Sequence, residues 1–194
     1  MPVAAPAPSR DDVRMQQDAP RGAPCKRTAT FLFTDIVGST EMLTMLGEET
    51  WLRALRDHND VVQEAVDRNG GSTLKFLGDG WMVTFNCPRD AVDAAVIIQR
   101  ELAKDPSPEG FRVRIGIHTG SALAENDDFV GKDVVLASRI TREAGPGEVV
   151  ASADVVDVLG ATGHEWDRFD GGRIAHLKGL GPHLVFAIRW EPGS

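Results

Sequence analysis

The chain has 194 residues, 42% of them hydrophobic, which suits one domain with a real core and leaves no room for a second. Its formal net charge of −8 argues against nucleic acid or an anionic membrane as the main partner, so an anionic ligand would need local help from metal ions or a small Lys/Arg cluster. The two cysteines, Cys25 and Cys87, form neither a disulfide framework nor a zinc spacing, which fits a reducing, cytoplasmic setting.

The first residues lack the apolar core of a signal peptide, and no apolar run approaches the roughly 18 to 20 residues needed to span a bilayer. Residues 1–26 carry Pro2, Pro6, Pro8, Pro20 and Pro24 without apolar periodicity, which predicts a disordered leader. One domain is expected over 27–190, with 191–194 as a tail.

From Thr28 to Thr34 the sequence reads as a buried strand, ended by Asp35-Ile-Val-Gly-Ser-Thr40 at a turn into helix. Trp51, Leu52, Leu55, His58, Val62 and Val66 then recur at helical spacing until Asn69-Gly70-Gly71 stops them. Two short strands, 72–77 and 81–86, are joined across Asp79-Gly80 as a hairpin. Pro88 starts a helix that runs through Leu102, and Phe111 to Thr119 alternates as a strand with Val113, Ile115 and Ile117 on one face. The order β-α-β-β-α-β is the ferredoxin-like, or split β-α-β, arrangement, a sheet covered on one face by helices. A helix over Lys132–Glu143, a Gly145-Pro-Gly turn, a strand at Val149, a short helix near Asp154 and C-terminal strands complete an α+β chain.

Two segments suggest chemistry. At Asp35-Ile36-Val37-Gly38-Ser39-Thr40 a strand ends in an acid just before a helix begins, so outward-pointing amides suit a phosphate while Asp35 suits the cation that neutralises it. The plainer reading is that Asp35 only ends the strand and Ser39 caps the helix. In Lys75-Phe-Leu-Gly-Asp79-Gly80, Asp79-Gly80 alone reads as a turn formed for its own geometry. In this fold the first strand and the hairpin are neighbours, so Asp35 and Asp79 at adjoining ends could share two divalent ions. The five histidines show no paired metal spacing, Gly131-Lys132-Asp133 lacks the rest of a P-loop, and the four tryptophans are too scattered for a stacking platform.

Phe33-Thr-Asp-Ile-Val-Gly-Ser-Thr40, Lys75-Phe-Leu-Gly-Asp-Gly80, Arg114-Ile-Gly-Ile-His-Thr-Gly120 and Ala137-Ser-Arg139, in this order, resemble class III adenylate and guanylate cyclases of bacterial, mycobacterial-like type. The resemblance runs from about residue 27 to 190. It implies a homodimeric enzyme that converts ATP to 3′,5′-cyclic AMP with two Mg2+ or Mn2+ ions held by Asp35 and Asp79. It further implies that Lys75 and Asp128 read the purine, that Arg139 stabilises the transition state, and that Lys178 contacts the terminal phosphates. Lys at position 75 matches adenylate cyclases, where guanylate cyclases have Glu; a Lys donor and an Asp acceptor also satisfy adenine N1 and its exocyclic amine.

One position departs from the pattern: Val135 stands where the family usually has an Asn, four residues before Arg139. Loss of one positioned donor costs on the order of 100 to 1,000-fold in rate, so weak turnover is expected. That departure keeps open a non-catalytic nucleotide-binding dimerisation module. A guanylate cyclase is the other alternative. A diguanylate cyclase lacks its Gly-Gly-Asp/Glu-Glu-Phe signature here.

Overall fold

The computed structural model describes residues 25–104, 112–126, 128–161 and 166–191. The leader expected over 1–26 lies outside these residues up to 24, while Cys25 and Lys26 already belong to a strand.

Strand β1 (Cys25–Ile36) leads through Gly38 into α1 (Ser39–Leu46) and α2 (Glu48–Arg68). The long helical stretch read from the sequence is thus two helices, broken at Gly47, whose φ of 75° lies in the left-handed region. Strands β2 (Ser72–Phe76) and β3 (Trp81–Phe85) follow, then α3 (Pro88–Leu102) and β4 (Val113–Glu125). The hairpin closes through four residues, 77–80, rather than a tight two-residue turn. Its loop is held by a bond from the Leu77 amide to the Gly80 carbonyl at 2.7 Å, with φ 101° at Gly78.

Strand β4 continues six residues past the expected end at Thr119, because its second half pairs with the first half of β1, Cys25 opposite Ala124. Asp128 begins a short strand, β5 (Asp128–Val130), paired with β4. The chain ends with α4 (Lys132–Glu143), β6 (Val149–Ser152), α5 (Ala153–Ala161), a 3-10 turn at Trp166–Arg168, β7 (Arg173–Leu177) and β8 (Gly181–Ala187).

The sheet order is β2-β3-β1-β4-β6-β8-β7, and its first four members are the expected split β-α-β set. Strand β6 joins β4 in parallel; the other neighbouring pairs are antiparallel. Strand alternation divides the core into two layers. Leu32, Val83, Ile115 and Ile117 pack with α2, α3 and α5 on one face. Phe31, Phe33 and Met82 pack with Ala137 of α4 on the other. The helices of the split unit therefore share one face as expected, and α4 is an addition on the opposite face. Trp51, Trp81 and Trp190 pack against the larger layer.

His58 and His118 are buried, 1% and 3% exposed. Burial lowers the pKa of His58 below its ordinary 6.5, against the opposing hydrogen bond with Asn59. Burial likewise lowers that of His118, against Asp154 and Asp133. Both are neutral in the fold, while the unfolded chain binds protons near pH 6.5, so stability rises with pH from their lowered folded pKa up to 6.5. Acidification through that window should lower stability by up to about 1.4 kcal/mol per pH unit for each histidine, and the melting temperature with it. A melting temperature unchanged between pH 7.5 and 5.5 would contradict the neutral buried state.

Candidate active site

Asp35 lies at the end of β1, and Asp79 in the β2–β3 loop beside it. The Ile36 amide donates to the Asp79 carbonyl at 3.1 Å, and the Trp81 amide to Thr34 Oγ1 at 2.9 Å. Gly80 makes this approach possible: a Cβ there would stand 2.0 Å from the Thr34 carbonyl oxygen. The two carboxylates expected to act together are therefore at adjoining ends of elements fixed backbone to backbone.

Each carboxylate has a protein partner. Ser39 Oγ donates to Asp79 Oδ2 at 2.6 Å. Ser39 thus orients the acid instead of capping α1, which begins at Gly38 in a left-handed conformation without a side-chain cap. The first intrahelical bond runs from the Met42 amide to the Gly38 carbonyl, so the amides of residues 38–41 precede the helical ladder. Ile36, Val37, Gly38, Ser39 and Thr40 form this entry, with Val37 fixed by the bond from its amide to the Arg112 carbonyl at 2.8 Å.

Arg114, opposite Asp35 in the β1–β4 register, donates through Nη2 to Asp35 Oδ2. The sequence by itself gives Arg114 no role. The available signal was its place at the head of Arg114-Ile-Gly-Ile-His-Thr-Gly120, but its opposition to Asp35 depends on the register. Among the described residues no group of three or more His, Cys, Asp or Glu is placed to hold a metal. Two hard carboxylates at one end of the sheet nonetheless fit Mg2+ or Mn2+ whose remaining ligands are phosphate and water oxygens.

Lys75 and Asp128, 53 residues apart, meet: Lys75 Nζ donates to Asp128 Oδ2 at 2.6 Å. This hydrogen bond, aided by one from the Phe129 amide, holds the Asp128 carboxyl below its ordinary range. Lys75 retains two further donors and Asp128 further lone pairs, so a purine edge could be read without separating them. A cavity of about 360 Å³ is lined by Lys75, Arg139, Val135, Leu77, Phe33 and Met82 among others. Lys75, Arg139 and the departing Val135 are therefore brought together on one surface. Neither Asp35 nor Asp79 lines that cavity, and Lys178, exposed in the β7–β8 turn, does not line it either. Leu77 and Val135 are exposed apolar side chains there, 51% and 46%.

A split β-α-β domain with paired carboxylates at adjoining strand ends, and a Lys–Asp pair beside an arginine, has the organisation of a nucleotide cyclase domain. Residues 23–189 match the family described as the adenylate and guanylate cyclase catalytic domain, and the chain belongs to that family. An uncharacterized protein of Mycobacterium tuberculosis is 30% identical over 163 residues, covering 82% of this chain and 41% of that protein. The adenylate cyclase of Lachancea kluyveri is 28% identical over 171 residues, 74% of this chain and 9% of that one. The chain thus spans less than half the length of these curated relatives. In fold it is similar to the guanylyl cyclase Cya2, with TM-score 0.74, 22% identity, and 85% and 93% of the two chains covered. It is similar also to the adenylyl cyclase CyaB from P. aeruginosa, with TM-score 0.70, 21% identity, and 88% and 98% covered. Among the described residues no helix is long and apolar enough to cross a membrane.

Proposed function

We propose that this domain is an adenylate cyclase that converts ATP to 3′,5′-cyclic AMP and pyrophosphate, with two Mg2+ or Mn2+ ions per site and sites shared between the chains of a homodimer. The observation that carries the ATP assignment is the Lys75–Asp128 pair at 2.6 Å, next to the cavity that Lys75 and Arg139 line. The homodimer is supported by the separation of Asp35 and Asp79 from that cavity, and by the exposed Leu77 and Val135 that line it.

In this reading the ribose 3′ oxygen attacks the α-phosphorus, the bond to the β-phosphate oxygen breaks, and pyrophosphate leaves. Asp35 and Asp79 of one chain hold the cations, and the amides at 38–41 face the triphosphate. When bound, the ions supply Lewis-acid stabilisation of the phosphates and lower the pKa of the 3′ hydroxyl. Asp35 accepts the hydroxyl proton. Arg114, bonded to Asp35 in the nucleotide-free chain, is a cation for phosphate once that carboxylate engages metal. From the partner chain, Lys75 donates to adenine N1, Asp128 accepts from the exocyclic amine, and Arg139 meets charge developing on the phosphates. Lys178 serves the terminal phosphates.

The test is cyclic nucleotide formation from ATP or GTP with Mg2+ or Mn2+. Cyclic AMP as the main product supports the reading, and preferential cyclic GMP overturns the purine assignment. Nucleotide binding without product by folded dimer would favour the non-catalytic module that Val135 suggests.

Val135 is 46% exposed on the cavity, so an amide there meets no packed core. Val135→Asn should therefore raise kcat roughly 10- to 100-fold by restoring one donor, with little change in melting temperature. Unchanged kcat would show that this position contributes no donor in this chain.

A further inference from the structure

Gly116, His118 and Gly120 alternate along β4 on the face that carries α4. A Cβ on Gly116 would stand 2.4 Å from the Thr141 nitrogen, and one on Gly120 would stand 2.3 Å from the Asp133 carboxylate. Helix α4 is thus seated on β4 near both of its ends, with His118 between the two contacts.

His118 Nδ1 bonds with Ser152 Oγ at 2.8 Å. Nε2 is buried without a hydrogen-bond partner among the described residues and lies 3.8 Å from Asp133 Oδ1. That separation is too long for a hydrogen bond; the neutral, buried ring meets the carboxylate through packing and, with Nε2 carrying its proton, through an ion–dipole attraction. Asp133, in the first turn of α4, accepts the Ser121 amide through Oδ2 at 2.7 Å, so one carboxylate ties α4 to β4 while facing the imidazole. The other titratable groups facing His118 are Asp154, whose Oδ2 is 3.5 Å from Nδ1, and His183 on β8. Arg139 lies six residues beyond Asp133 on the same helix, roughly 9 Å along its axis. A tilt at the start of α4 displaces it.

Resting on the cyclase reading, we propose that His118 is a positioning residue: through Asp133 it fixes the start of α4 on β4 and thereby sets where Arg139 stands in the site.

His118→Asn places an amide near the Nδ1 position, keeping the Ser152 bond, and removes the ring edge that faces Asp133. It should lower kcat for cyclic AMP formation roughly 10- to 100-fold, the scale of an ångström-size misplacement, with KM for ATP within about twofold. In an Arg139→Ala background the same substitution should cost no more than about two- to threefold, because the group it positions is gone. Equal losses in both backgrounds, or a change in KM alone, would overturn the proposal. Amide hydrogen exchange of nucleotide-free protein tests the docking without turnover: exchange over 132–143 should quicken in His118→Asn, and unchanged protection would overturn it. Quicker exchange over 132–143 in His118→Asn, beside a wild-type protein that makes no cyclic nucleotide, would uphold the docking and sink the cyclase reading instead.

Discussion

Asp79→Ala is expected to lower cyclic AMP formation by at least about a thousandfold while the chain stays folded and dimeric. In the proposed site, removing one of the two carboxylates that hold the divalent ions forfeits several kcal/mol of transition-state stabilisation, and each 1.36 kcal/mol is tenfold in rate. The fold should tolerate the change, because the contacts that fix the loop are made by backbone: the Ile36 amide to the Asp79 carbonyl and the Leu77 amide to the Gly80 carbonyl. The side chain's own partner, Ser39 Oγ, is half-exposed and can turn to water. An Arg139→Ala chain should be similarly impaired for a different reason, since Arg139 stands in the cavity with Lys75 and not with the aspartates. Mixing the two inactive chains then distinguishes a shared site from a self-contained one. In a mixed dimer one of the two sites has both an intact Asp79 and an intact Arg139, so random pairing should restore roughly a quarter of wild-type activity. No recovery in mixed dimers shown to form would remove the shared-site arrangement.

The second large effect concerns the purine. Lys75→Glu places a carboxylate opposite Asp128, replacing an ion pair with a repulsive pair and leaving adenine N1 without its donor. Each unpaired buried polar group costs about 1 to 3 kcal/mol, so the preference for ATP over GTP that the proposed function assigns to this chain should fall roughly 100-fold or more. The exposed position of Lys75, 43% accessible in the side chain, keeps the cost to folding small. Assays with equal ATP and GTP read the ratio directly, and an unaltered preference would mean that Lys75 does not read the base. In the unsubstituted chain Asp128 is held ionised by the hydrogen bond from Lys75, and that contribution is lost only as pH falls through a pKa below 3.8, so assays near neutral pH compare the variant with an intact ion pair.

Much of this protein was legible in the sequence because the relevant signals are local. The apolar run at 28–34, the helix start at Pro88 and the helix over Lys132–Glu143 are set by periodicity and by the residues that begin and end elements, and the structure has them there. Asp35 and Asp79 could be paired in advance because the β-α-β-β order itself makes β1 and β3 neighbours. Tertiary structure decided what depends on register and on distant partners. Strand β4 runs on to Glu125 only because β1 offers it a partner, and Asp128 enters a strand only because β4 extends far enough to receive β5. The roles proposed for Arg114 and His118 rest on which side chains stand across from them, Asp35 in one case and Asp133 in the other. A sequence fixes spacing along one chain. Opposition across a sheet or beneath a helix depends on hydrogen-bond register and on glycines, such as Gly80, Gly116 and Gly120, that permit close approach, and only the folded chain decides it.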